Sequence, residues 1–282
     1  MSTQTASTTE LDEAQRTIIA KSRFTQEHVA PMLQLCEHFT LPKGASTLSI
    51  PKVGQMEAAD LTDGVDMVNS QDIGMTVDQV DTEEVGLKVI LTDKLVRQLN
   101  QDVWAIVGRQ VGDAMGRKKD KDLIALLDSL TATNDGTDAL TLAFYAAVAT
   151  ILNAVPAPKP INCVVHPYQA HPLKTAVAVS GTYPLPQAGL TVDMIKDWHV
   201  GTWAAVPCFE DGNITLATTA KGGMFSRSCL GYLQSKADGA ERQRDASLRG
   251  SELVMVSDYE AFIIDSTYGR EMHFTCAAPV TT

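Results

Sequence analysis

Residues 54–87 read GQMEAADLTDGVDMVNSQDIGMTVDQVDTEEVGL. Nine of these side chains are acidic (Glu57, Asp60, Asp63, Asp66, Asp72, Asp78, Asp81, Glu83 and Glu84), and none is lysine or arginine. Four glycines punctuate the run. Like charges along such a segment repel, and it carries too little apolar surface to fold on itself. It needs a complementary basic surface. Residues 91–127, LTDKLVRQLNQDVWAIVGRQVGDAMGRKKDKDLIALL, supply one. Arg97, Arg109, Arg117, Lys118, Lys119 and Lys121 cluster there on a helical pattern. That surface suits the acidic arm of a second copy, so the pairing predicts a chain that assembles with itself.

Strand signals flank the acidic run. Residues 47–53 read as a strand, with Pro42 before it and Pro51 near its end, as an edge strand tolerates. Residues 84–89 alternate, with Val85, Leu87 and Val89 on one face. Together they predict a long two-stranded ribbon. A ribbon of that kind is marginal alone and needs something to lie against.

The strongest periodicity follows. Leu91, Leu95, Leu99, Val103, Val107, Val111 and Met115 recur every fourth residue, and apolar residues resume at Leu123, Ile124, Leu126, Leu127 and Leu130. Thr92 or Asp93 suits the cap. Unbroken, this is a helix of ~40 residues and ~60 Å. A four-residue spacing advances about 40° per step, so the stripe winds around the rod and needs more than one neighbour. Gly108, Gly112 and Gly116 form a second stripe. Each mid-helix glycine costs roughly 1 kcal/mol against alanine. Two readings stay open: another backbone approaches closely there, or the helix breaks at residues 116–121.

Elsewhere, residues 1–10 read as loose, and residues 11–39 as a mainly helical arm broken by Pro31. TATNDGTD at 131–138 is a turn, residues 140–155 form an alanine-rich helix, and residues 161–165 are a buried strand. Further strands are expected near 200–206, 214–218, 252–256, 259–264 and 271–276, while residues 225–235 fit either period.

A chain of 282 residues holds one large or two ordinary domains, and a net charge of -11 opposes binding to phosphate backbones and anionic lipid. The five cysteines are odd in number, widely spaced and without CxxC, which fits a reducing compartment. The amino terminus shows no signal-peptide pattern, and no apolar run approaches the ~20 residues of a membrane span. A soluble, intracellular chain is expected.

Motifs for chemistry are weak. Cys163, His166 and His171 share a C-x2-H-x4-H spacing but lack a second ligand pair nearby. His28, His38 and His199 read as packed or exposed histidines. DLTDGVD at 60–66 lacks the order of a calcium loop. No nucleophile elbow, P-loop or dinucleotide fingerprint occurs. The basic cluster has no interleaved aromatics, so a solvated face or a dock for the ribbon outweighs phosphate binding. No catalytic residue, cofactor or metal is expected.

The order of parts resembles the major capsid proteins of tailed bacteriophages, of the Hong Kong 97 type. The matching stretches are LPKGASTLSIPKVG leading into the ribbon, LTDKLVRQLNQDVWAIVGRQVGDAMGRKKDKDLIALL as a spine helix, CVVHPYQ and VGTWAAVPCF, and ERQRDASLRGSELVMVSDYEAFIIDSTYG. The resemblance implies an α+β fold. Its parts would be an amino-terminal arm at 1–46, an extended loop at 47–89, a peripheral domain at 90–137 and 244–282, and an axial domain at 138–243. It implies a shell subunit forming hexamers and pentamers of an icosahedral head around double-stranded DNA, bound without sequence specificity and without a membrane. Assembly would take place in the bacterial host cytoplasm, with the virion as destination. A separate scaffolding protein and a portal are implied partners, since no fused scaffold segment precedes the arm; a decoration protein stays open. Inter-subunit contacts are expected from Glu57, Asp60, Asp63 and Asp66 to Arg97, Arg109, Arg117, Lys118 and Lys119, with Gly108 and Gly112 alongside. The sequence departs from relatives that weld their loops by an isopeptide bond, because no lysine lies between Lys52 and Lys88. Two rivals remain: an encapsulin-like shell around a protein cargo, and a cytosolic α/β enzyme with acidic loops.

Overall fold

The computed structural model describes residues 30–54, 56, 58, 60, 63, 74–98, 103–179 and 199–279. Much of the acidic run, His28 and most of the arm lie outside them. Among the described residues three sheets form, of four, five and two strands.

The four-stranded sheet is organised by one long hairpin, β9 (Leu230–Asp245) with β10 (Gly250–Ile263). A register shift near Ser257 bends it. Its inner end, Leu230 to Leu233, is buried, whereas the charged stretch beyond Gln234 runs out into solvent. The outer end is tied down by Arg242, whose guanidinium lies 3.9 Å from the Trp104 ring centroid, and by Arg244, 3.0 Å from Asp93. The sheet edges are β1 (Glu37–Thr40), parallel to β9, and β4 (Glu83–Thr92), antiparallel to β10. The end of the expected arm helix is therefore strand. A single helical turn, α1 (Met32–Leu35), precedes it.

β4 also corrects the ribbon. The strand that returns to β2 (Thr47–Val53) is β3 (Met75–Asp81), and these two alone make the third sheet. The alternation at 84–89 is real, but its partner is β10.

Leu91, read as the first residue of the helical stripe, is the buried penultimate residue of β4. Helix α2 (Asp93–Gln98) follows, with the Thr92 hydroxyl accepting from the Leu95 amide at 3.4 Å. The long helix α3 (Val103–Leu127) has 25 residues, about 37 Å at 1.5 Å per residue. It runs unbroken through Gly116 and Lys121, which removes the break. Val111, Met115, Leu123 and Leu127 are buried, as the stripe predicts. Leu123 and Leu127 enter the main core with Met32, Leu35, Phe225, Leu230 and Tyr259.

The five-stranded sheet has the order β11-β8-β5-β7-β6. Its members are β5 (Ile161–Val165), β6 (His199–Trp203), β7 (Val206–Glu210), β8 (Thr219–Ser226) and β11 (Gly269–Thr275). β5 is buried along its whole length, as its unbroken apolar run predicts. Helix α4 (Leu142–Ala154) packs on this sheet through Tyr145, Val148, Ala149 and Leu152. Its N-cap is Thr141, which accepts from the Phe144 amide. Helix α5 (Pro167–Val179) follows β5. Gly136 turns the TATNDGTD loop at φ +85, a backbone region that favours glycine. The expected strand at 200–206 is instead a hairpin turning at Ala204 and Ala205, and no strand forms at 214–218. The tail strands expected at 252–256 and 259–264 are one strand, β10.

Candidate inter-subunit surface

The ribbon carries two different faces. At its root Leu48, Ile50 and Val80 pack on Leu41, Leu233 and Phe262 of the body. On the opposite face, cross-strand pairs Pro51 with Val77 and Val53 with Met75 place apolar side chains together. Their exposure is high: 62% for Val53, 59% for Met75 and 48% for Val77. Directly opposed apolar pairs form a coherent patch rather than scattered surface residues. The ladder continues one step beyond them, where the Gly54 amide donates to Gly74 O at 2.8 Å. Lys52 is paired with Asp78 at 2.5 Å within the ribbon. Asp60 and Asp63 are exposed, while Glu57 and Asp66 lie outside the described residues.

The basic residues do not form one uniform patch. The Arg97 Nε donates to Asp93 O at 3.1 Å, and Arg109 lies 4.0 Å from Asp113. Both are exposed interactions within one helix, of small energy and easily exchanged. Arg117 is exposed. Lys118 is 2.5 Å from Asp122 and lines a cleft of about 230 Å³ with Glu83, Tyr259 and Glu260. Burial, with the charges of Glu83 and Asp122, raises the Glu260 carboxyl above its usual range. Lys118 therefore already answers an acidic neighbourhood of its own protomer.

Lys119 requires a correction. It does not belong to the solvated face. It occupies the buried stripe between Met115 and Leu123, with its ammonium 2.5 Å from Asp238 and 5.4 Å from the Tyr259 ring centroid. The long apolar stem fits the stripe while the charge finds a carboxylate at its edge. A residue in this position is closed to an incoming arm.

Gly108, Gly112 and Gly116 lie on continuous helix, and a Cβ at any of them would meet nothing within 4 Å. Among the described residues, no backbone outside the helix approaches there. Among the described residues, no ion pair joins the ribbon to the long helix of the same protomer.

The Cys–His spacing does not converge. Cys163 lies against Tyr145 and Cys208 inside the five-stranded sheet's core, with burial holding its thiol far up. His166 Nδ1 meets the Cys276 thiol at 3.2 Å, and His171 is exposed on α5. Among the described residues no group of three potential ligands gathers. The sequence reading missed the apolar ribbon face. Its signal was present in the alternation of Met75 and Val77 with Thr76 and Asp78.

Residues 76–265 match the family model described as phage capsid protein. The chain belongs to the phage capsid protein family. No curated protein sequence matches it. Solved capsid structures do. The capsid of cyanophage P-SCSP1u is 12% identical over 92% of each chain, with a TM-score of 0.69. A structure from Mycobacterium phage Che8 is 17% identical over 89% of this chain and 93% of that one, at 0.66. The capsid of Ralstonia phage GP4 is 12% identical over 88% and 89%, at 0.69. At these identities the likeness is one of fold, with mixed helix and sheet. This capsid protein is a structural subunit of a self-assembling shell, located in the virion, and not an enzyme. The family match overturns the α/β-enzyme reading. Among the described residues no helix is long and apolar enough to cross a membrane.

Proposed function

We propose that this major capsid protein has the Hong Kong 97-type fold and builds an icosahedral head of hexamers and pentamers around double-stranded DNA. The ribbon of each subunit lies on the long helix of its neighbour. The observation that carries this reading is a pair of unfilled surfaces on one protomer. The outer ribbon presents Val53, Met75 and Val77 to solvent, and α3 presents a glycine stripe that no side chain or neighbouring backbone among the described residues fills. Glycine lets another backbone approach closely, and the acids beyond the ribbon's apolar face meet Arg97 on α2 and Arg109 and Arg117 on α3. Lys118 and Lys119 serve their own protomer.

The division into an arm (1–46), an extended loop (47–89), a peripheral domain (90–137 and 244–282) and an axial domain (138–243) belongs to the same reading. Within the loop, pairing ends at Asp81, and β4 carries the chain back into the body. A net charge of -11 keeps the packaged duplex from adhering to the shell. Assembly in the host cytoplasm on a separate scaffolding protein, around a portal and with or without a decoration protein, completes the proposal.

The test is electron cryomicroscopy of particles assembled by the full chain in the presence of its scaffolding protein. The expected result is closed shells in which Val53 and Val77 of one subunit lie within ~4 Å of the Gly108–Gly116 face of the next. Small discrete oligomers, or a ribbon folded onto its own body, would overturn it. Shells filled with protein rather than nucleic acid would shift the reading to a cargo container.

A further inference from the structure

Two carboxyls face one another in the interior, at a place the shell reading does not use. Asp120 is on α3 and Asp211 follows β7; their exposures are 0% and 1%. Asp120 Oδ1 accepts from the Met32 amide at 3.1 Å, and its Oδ2 accepts from Asn213 Nδ2 at 3.0 Å. Asp211 Oδ1 accepts from the Asn213 amide at 2.8 Å, and the Asp211 amide donates to Val165 O at 3.1 Å. Asp211 Oδ2 is buried with no donor. Asp120 is the side chain in hydrogen-bonding contact with Asp211, and two ionised carboxylates cannot hydrogen-bond to each other. One proton held between them supplies the missing donor and removes one of two buried like charges.

We propose that Asp120 and Asp211 form a proton-held latch that fastens the chain at Met32 to the long helix, and that loss of the proton releases it. Among the described residues, α1 is joined to α3 by that one polar contact plus the burial of Met32, Leu35 and Cys36. Without the shared proton, two negative charges stand in an apolar setting, and the Met32 contact is the one on the edge of the pair that can yield. The remaining charged groups on the surrounding elements are committed elsewhere. On β7, Glu210 is 2.5 Å from Lys174 of α5. On α3, Lys119 turns to Asp238. His166, after β5, meets Cys276 and the Tyr168 amide. Arg227 donates to Cys36 O. The causes acting on the pair are burial, each other, Asn213 and the Met32 amide.

The direction follows from linkage. Burial first, then the Asp120 carboxyl, raises Asp211 to about 8 from an ordinary 3.8. The closed latch therefore binds the proton more tightly than the open one. Its stability is full at acid pH and is lost as pH rises towards about 8, with no further loss above that. Between those limits the opening equilibrium grows by up to about tenfold per pH unit.

The experiment is hydrogen exchange by mass spectrometry on the full chain, expressed as protection factors so that intrinsic exchange is removed. Peptides covering 30–36 report the latch, and peptides covering 142–154 serve as reference. The expected result is a fall of about 100-fold in protection at 30–36 between pH 5.5 and 7.5, a plateau above about 8, and a flat reference. In Asp211→Asn the amide donates permanently, so protection stays high and flat. In Asp120→Asn a single buried carboxyl remains without its like-charged partner, and the slope falls well below that of the wild type. A wild-type protein whose protection at 30–36 is independent of pH overturns the proposal. So does either variant that retains the wild-type slope. Should one variant fail to fold, the wild-type titration and the other variant still decide.

Discussion

The ammonium of Lys119 sits 2.5 Å from Asp238 Oδ1, with only 6% of the lysine side chain exposed. The stem fills one step of the buried helical stripe, and the charge is answered from β9, more than a hundred residues away in sequence. Lys119→Ala removes both the packing and the pair, and should cost about 2–4 kcal/mol. Lys119→Met keeps the volume and removes the charge, so its cost should stay below about 1.5 kcal/mol. Urea unfolding of the dissociated subunit measures both. Equal losses in the two variants would mean that the pair, and not the stem, matters at this position.

The outer ribbon face makes a different kind of prediction. Val53→Asp with Val77→Asp should leave the fold intact, because both side chains are solvent-exposed in the protomer. Unfolding free energy should change by no more than about 0.5 kcal/mol, while shell formation is lost. Circular dichroism with size-exclusion chromatography separates the two effects. Normal shells from this variant would remove the apolar face from the interface.

Charge reversal at Arg109 and Arg117 probes the electrostatic share. Each exposed pair contributes at most about 1 kcal/mol and is screened by salt. Repeated around a shell, such terms add. Arg109→Glu with Arg117→Glu should raise the subunit concentration needed for assembly at 50 mM salt and matter less at 1 M. Light scattering at several ionic strengths follows this directly. A deficit that did not shrink with salt would point to packing instead of charge.

The β6–β7 hairpin turns on Ala204 and Ala205, at φ 50 and 62. Positive φ at both loop positions is the mark of a type I′ turn, for which Asn-Gly is the favoured pair. Alanine in the left-handed region is strained by roughly 1–2 kcal/mol. The double change Ala204→Asn and Ala205→Gly should therefore stabilise the subunit by about 1–2 kcal/mol, as a rise in the urea midpoint at unchanged slope. A neutral or destabilising result would show that the alanine methyls earn contacts that outweigh the strain.

Local signals were legible where one period dominated. The Thr47–Val53 strand, the Ile161–Val165 strand and the helix capped by Thr141 all stood out in the sequence. Leu91 was ambiguous for a physical reason. A spacing of four is close to one helical turn and is also twice the strand period, so Leu91 continues both Val85–Leu87–Val89 and Leu95–Leu99. Pairing with β10 decides it. The ribbon's return strand was hidden because Met75 and Val77 lie on one face and Val80 on the other, which blurs the alternation. Lys119 could not be placed from its neighbours in sequence, since the rings and carboxylate that receive it come from β9 and β10. The Asp120–Asp211 pair was equally invisible, being made by contact between residues 91 positions apart.

Among the described residues of the ribbon, Leu48, Ile50 and Val80 at its base join the interior clusters, and Val53, Met75 and Val77 beyond them do not. A brick whose mortar joint is separate from its own strength can vary the joint freely. Substitutions near Val53 and Met75 would thus tune how sharply a wall of these subunits curves, and so how large a vessel it closes, without endangering the folding of any single piece.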